Sequence, residues 1–146
     1  MRINTKDLSD VALDWAVSQC EGEVVRIYPH DSGAELFDLS SDPYSPTSYW
    51  SQGGPIIERE GIAVRKHKGS GLWFAMGLDD LGDTERPEWC EFTSNGGERY
   101  GKMSYQVPLR RQRFEGDTPL VAALRCHVAA KLGAEIEVPE SLLNGD

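Results

Sequence analysis

Residues 116–133, GDTPLVAALRCHVAAKLG, decide the fold of this 146-residue chain. Thr118 is a good helix cap, because its hydroxyl can accept from an amide of the first turn, and Pro119 fits the first helical position, where no amide hydrogen is needed. Leu120, Val121, Leu124, Val128 and Leu132 supply an apolar stripe at helical spacing. Gly133 suits the end, where a left-handed residue closes the last turn. Downstream, Ile136 and Val138 read as a short closing strand, and Asn144-Gly145-Asp146 as a frayed tail.

Working back toward the start, a second strong helix opens at Ser9, with Asp10 in its first turn where the dipole favours negative charge. Leu8 and Leu13 flank that cap as a hydrophobic staple, and Leu13, Ala16, Val17 and Cys20 recur at helical spacing up to Gly22. Val24, Val25, Ile27 and Tyr28 predict a strand stopped by Pro29. The stretch from Asp31 to Thr47 reads as loop, with Phe37 anchoring a short strand inside it. Pro55 suits the first position of a short helix ending at Gly61, although an extended reading of the same residues stands beside it. Ile62 and Val64, a turn at Gly69-Ser70-Gly71, and the apolar run Leu72 to Met76 together resemble a β-hairpin. Residues 79–113 are polar, with short strands predicted at Glu91-Phe92-Thr93 and from Met103 to Val107. The expectation is one compact α+β domain over residues 1–146, with a small antiparallel or mixed sheet packed against two main helices.

Composition narrows the function classes. Hydrophobic residues make up 39% of the chain, enough for one core, and charged residues 27%, so disorder is not indicated. The net charge is -9, from 15 basic and 24 acidic side chains. That balance opposes direct nucleic-acid binding, which needs clustered Lys and Arg, and serves solubility first. No stretch approaches the ~20 apolar residues of a membrane helix. The opening MRINTKDLSD lacks the apolar run of a signal peptide, which predicts a cytosolic protein. Cys20, Cys90 and Cys126 are widely spaced and odd in number, without a C-x-x-C pair. Neither a disulfide framework nor a zinc site is expected, and buried reduced thiols are.

The stretch from Tyr44 to Arg59 is the most informative for function. It concentrates Tyr44, Ser45, Thr47, Tyr49, Trp50, Gln52, Gly53, Gly54 and Arg59 where a core segment would be apolar and periodic. Aromatic faces stack on bases, hydroxyls and amides bond to ribose, and glycines let a backbone approach closely. If Pro55 opens a helix, the amides near Gly53 and Gly54 lie at its positive end and can hold phosphate without basic side chains. The plainer reading is a loop held by a buried Trp50, with the glycines serving turns. No Gly-Lys-Ser/Thr follows, so this is not a Walker loop.

Elsewhere the signals are weaker. Trp73 and Phe74 are neighbours, so in a strand one enters the core and the other faces a pocket or interface. Trp15 lies off the main stripe of its helix and either widens the core face or packs on another subunit. Arg125 lies beside the stripe of the last helix and needs a partner there, either a carboxylate such as Glu58 or Glu60 or a ligand phosphate. His30, His67 and His127 form no metal-binding spacing, and His67 reads as part of a basic face with Arg65, Lys66 and Lys68. Arg110, Arg111 and Arg113 either steer an anionic ligand or offset nearby carboxylates. No G-x-S-x-G elbow is present, and Cys126 and His127, adjacent on a helix, point about 100° apart and make no dyad.

Three blocks resemble a known family: ALDWAVSQCEG from Ala12 to Gly22, YSPTSYWSQGGPIIEREGI from Tyr44 to Ile62, and GDTPLVAALRCHVAAKLGAEIEVP from Gly116 to Pro139. In this order they are similar to the phage NinX family, a domain of unknown function among phage accessory genes. Residues 79–113 match nothing in that pattern and read as an insertion. The resemblance implies phage origin, the cytoplasm of the infected host and a compact α+β fold, and no established activity. It leads to the expectation of a non-enzymatic anti-defence protein, without cofactor, catalytic residue or metal. Such a protein would sequester a nucleotide-derived immune signal, a cyclic ADP-ribose-like molecule or a cyclic dinucleotide, as a homo-oligomer. The expected ligand contacts are Tyr44, Ser45, Thr47, Trp50, Gln52, Gly53, Gly54, Arg59, Trp73 and Arg125. A protein-binding inhibitor or DNA mimic acting on a host defence protein is the alternative, and a metal-dependent hydrolase of a nucleotide signal the third.

Overall fold

The computed structural model describes residues 1–31, 33–77, 87–93, 99–106 and 113–143. In chain order these form β1 (Arg2–Asn4), α1 (Asp10–Glu21), β2 (Arg26–His30), β3 (Gly33–Phe37), α2 (Trp50–Glu60), β4 (Ala63–Lys66), β5 (Trp73–Met76), β6 (Pro87–Thr93), β7 (Arg99–Gln106), β8 (Phe114–Gly116), α3 (Pro119–Leu132) and β9 (Glu135–Glu137). The class is α+β, as expected. The strands, however, do not merge into one sheet. They make four small antiparallel ones: β1 with β9, β2 with β3, β5 between β4 and β8, and β6 with β7. Of the segment 79–113, only β6, β7 and Arg113 are among the described residues; Arg110 and Arg111 lie outside them, as does the tail from Asn144.

α3 is the centre of the packing. Thr118 caps it by accepting from the Val121 amide at 3.1 Å, and Pro119 sits in its first turn. Its stripe is wider than one face. Leu124 and Val128 enter a core with Leu13, Ala16 and Val17 of α1 and Leu36 of β3. Ala122, Ala123 and Cys126 enter a second core with Ile62, Ala75 and Phe114. A helix covered on both sides is apolar nearly all round, and each fully buried Leu or Val in it contributes about 1.5–3 kcal/mol. Gly116 is required where β8 meets α3, since a Cβ there would lie 2.6 Å from the Ala122 nitrogen.

Several local expectations need correction. Ser9 holds the cap position of α1, but its hydroxyl makes no capping bond. β2 begins at Arg26 and runs through Pro29 to His30. Pro29 does not stop it, because it faces Ala34 on an edge strand, where an amide hydrogen is not needed. α2 begins at Trp50, not at Pro55, which lies in its interior. The Tyr49 carbonyl accepts from the amides of Gln52 and Gly53, both at 2.9 Å, and starts the helix one turn earlier than proline placement implied. The Gly22 and Gly61 ends and the β4–β5 hairpin are as expected. Both glycines have left-handed φ, 69° and 63°.

Candidate functional site

Asp14 organises the most distinctive site. It lies on the inner side of α1, between Leu13 and Val17, and is 4% exposed. Its carboxylate accepts from the Thr47 amide at 2.8 Å and from the Ser45 hydroxyl at 2.9 Å. The Ser45 amide donates to Gln52 Oε1 at 2.7 Å, and Gln52 Nε2 donates to the Pro43 carbonyl at 2.9 Å. The Tyr44 amide donates to the Leu36 carbonyl at 2.9 Å. These bonds clamp the segment leading into α2 onto α1 and β3. They leave a cleft of about 250 Å³ whose walls include Val11, Asp14, Phe37, Tyr44, Ser45 and Tyr49.

The cleft has a defined polarity. Burial pushes the Asp14 carboxyl up to about 6, and the Thr47 and Ser45 hydrogen bonds offset part of that rise. Burial, then the charges of Glu21, Glu23 and Asp14, push the Tyr44 hydroxyl above its ordinary value, so it stays a neutral phenol. Among the described residues no Lys, Arg or His lines this cleft. It offers aromatic surface and hydrogen-bonding groups rather than positive counter-charge.

The structure divides the sequence-predicted contacts among several places. Tyr44 and Ser45 line the cleft, and Thr47 and Gln52 hold its wall from behind. Trp50 is not a buried anchor: it is 56% exposed at the start of α2 and outside the cleft walls. Gly53 and Gly54 are not at a helix terminus. They lie inside α2, and a Cβ on Gly53 would collide with the Pro46 carbonyl and with Leu120 Cδ2. The Gly53 amide is bonded within the helix, so the expected phosphate cradle is absent from this position. Trp73 packs against the second core, away from Tyr44, while Phe74 meets the His67 ring edge-on with centroids 5.4 Å apart. His67 itself serves the hairpin turn, where its Nδ1 accepts from the Ser70 amide at 3.1 Å. Trp15 widens the core face of α1. Arg125 takes neither Glu58 nor Glu60 as partner. It donates from Nε to the Leu8 carbonyl at 2.7 Å and from Nη1 to the Glu115 carbonyl at 2.6 Å, tying α3 to the chain before α1 and to β8.

Arg59 belongs to a second cluster that no local pattern announced. It donates to both oxygens of Glu21 at 2.8 Å, a two-pronged pairing. The buried His127 donates from Nε2 to Glu21 Oε2 at 3.1 Å, since the ionised carboxylate can only accept. Lys131 pairs with Glu60 at 2.8 Å. Arg59, Glu60, His127 and Lys131 border a cleft of about 260 Å³. The Arg59 hydrogen bond holds the Glu21 carboxyl below its usual range, while burial lowers His127 and keeps its ring neutral. Here the cations are already neutralised by carboxylates, which leaves little charge for an anionic ligand.

Asp14 is the site residue that local sequence pattern does not reveal. The row Val11, Asp14, Ser18 is mostly polar and by periodicity reads as solvent-facing, whereas the structure buries Asp14 and Ser18. Among the described residues no group of three or more His, Cys, Asp or Glu stands close enough to hold a metal ion, and no helix is long and apolar enough to cross a membrane. A search of curated proteins finds no match. The family model described as Bacteriophage P22, NinX matches residues 4–86, more than half of the chain. The match takes in the first two of the three resembling blocks; the third, from Gly116, lies beyond it. Every residue named in the Asp14 cleft falls inside the matched range. The chain belongs to the bacteriophage P22 NinX family.

Proposed function

We propose that this phage protein binds and sequesters a nucleotide-derived immune signal of its host without chemically altering it, in the host cytoplasm. The observation that supports this is the Asp14 cleft, where Phe37, Tyr44 and Tyr49 place aromatic side chains beside the Ser45 hydroxyl and a buried carboxyl. Aromatic walls with a few convergent polar groups suit a nucleobase or nucleoside. Among the described residues no basic side chain lines the cleft, so on this reading the phosphates of such a ligand stay outside it. This revises the mechanism expected from the glycines: the base is held, and the helix amides at Gly53 and Gly54 take no part.

At about 250 Å³ the cleft is below the ~300–1,000 Å³ of ordinary ligand pockets, so a second copy of the chain is needed to enclose a dinucleotide-sized signal. The test is to mix the protein with cyclic ADP-ribose isomers and cyclic dinucleotides, remove free ligand, denature by heat and identify what is released. Intact ligand is the expected product. Fragments would mean an enzyme, and calorimetry with no binding to any of them would end the sequestration reading. The exposed side chains Tyr28, Leu39, Tyr49 and Trp50 favour a second reading, a protein-binding inhibitor, which predicts a host protein recovered with the tagged chain.

A further inference from the structure

The open edge of β3 borders the cleft, and one residue of it stands out. In the β2–β3 ladder His30 faces Gly33, Tyr28 faces Glu35 and Arg26 faces Phe37, with Pro29–Ala34 and Ile27–Leu36 between them. Pro29 has no amide hydrogen, so its pair belongs to the set that does not bond across the ladder. Ala34 and Leu36 therefore turn their N–H and C=O groups away from β2. The neighbouring bonds have the same phase: the Leu36 carbonyl accepts from the Tyr44 amide, and the Asp38 amide donates to the Asp42 carbonyl, both at 2.9 Å. Ala34 is the next residue along this edge, and there the covering segment departs. The Ser45 amide goes to Gln52, and the Ser45 hydroxyl and Thr47 amide go to Asp14. Ala34 is 8% exposed and lines the cleft, yet among the described residues its outward N–H and C=O have no partner. A buried backbone pair left in this condition favours any guest that satisfies both groups at once.

We propose that the Ala34 N–H and C=O read the hydrogen-bonding edge of a nucleobase. This rests on the nucleoside reading of the cleft given above. The two groups of one extended residue lie side by side and point the same way. Their complement is a planar edge with an adjacent acceptor and donor, either the amidine edge of an adenine or the lactam edge of a hypoxanthine or guanine. A peptide strand does not fit, because Ala34 alone presents both groups of this edge: the Leu36 carbonyl is taken by the Tyr44 amide and leaves only the Leu36 N–H. The Tyr44–Leu36 bond closes it on one side and the β2–β3 turn on the other.

Amide-resolved NMR of the ¹⁵N-labelled full chain tests this with three nucleosides: adenosine, inosine and purine riboside, which lacks the exocyclic group. The expected result is that adenosine or inosine shifts the Ala34 amide together with Tyr44, Ser45 and Tyr49, and that purine riboside binds about ten-fold more weakly, as the loss of one buried hydrogen bond implies. Shifts at Tyr44, Ser45 and Tyr49 with Ala34 unmoved, or equal binding of purine riboside, would overturn the Ala34 role and leave the nucleoside cleft standing. No shift at any of these residues with any nucleoside would overturn both.

Discussion

Two carboxylates on one face of α1, about two turns apart, meet opposite fates. Asp14 is buried with neutral donors only, from Ser45 and Thr47, and its carboxyl rises to about 6. Glu21 is partly covered, but Arg59 grips both its oxygens and His127 adds a third bond, so its carboxyl falls below the usual range. Burial alone disfavours a charge, and a nearby cation reverses the balance. The pairing around Glu21 is complete within the chain and reads as a structural lock between α1, α2 and α3. Asp14 carries its desolvation without a cation, beside a cleft that is open. The proposed guest site rests on that difference, since carboxyls perturbed in this way are enriched at functional sites.

The sharpest way to break this contrast is pH. Asp14 has a folded value near 6 against an ordinary 3.8, so the folded state holds the extra proton between these values. Its favourable contribution is complete below pH 3.8 and is lost as pH rises toward 6, a change of up to about 3 kcal/mol at ~1.4 kcal/mol per pKa unit. Urea unfolding at pH 4 and pH 7 should show this limb in the natural chain and lose it in Asp14→Asn. The same limb remaining in the variant would remove Asp14 from the account. The His127 end has the opposite sign. Its folded value is lowered, so stability is present above pH 6.5 and is lost as pH falls through that lowered value. His127→Gln should abolish that acid limb and leave the Asp14 limb in place.

A smaller effect is expected from Gly53→Ala. The added Cβ meets the Pro46 carbonyl and Leu120 Cδ2, and overpacking of this kind costs about 1–3 kcal/mol even though alanine favours a helix. The thermal midpoint should drop, and cleft amides from Tyr44 to Tyr49 should shift in the NMR spectrum. An unchanged midpoint would mean that α2 and the Pro46 turn are not in contact. The smallest effect belongs to Arg59→Ala. Its pairing with Glu21 is half exposed, so the loss should stay within about 1 kcal/mol, and raising salt should shrink it further. A loss several times larger would show that the Glu21 cluster is more than a surface lock.

Much of the fold could be read from local patterns, because caps and turns act over four or five residues. Thr118, Pro119 and Gly133 bound α3 as read, and Gly22 and Gly61 close α1 and α2 in the left-handed conformation their residue type allows. Local pattern misplaces the start of α2, because Pro55 is a strong local signal and the Tyr49 carbonyl a silent one. The site was legible only in part. Tyr44 and Ser45 marked one wall through their chemistry, while Asp14 and the edge of β3 came from segments with no shared motif.

Residue type and spacing thus specified the class of fold, the ends of its helices and the segment that walls the cleft, since each depends on interactions within a few residues. Which carboxylate would be neutralised, which arginine engaged and which backbone groups left open depended on partners far along the chain, such as His127 against Glu21 and Thr47 against Asp14. Those pairings arise only in the packed molecule, because burial and hydrogen-bond geometry are properties of the whole and not of any stretch of it.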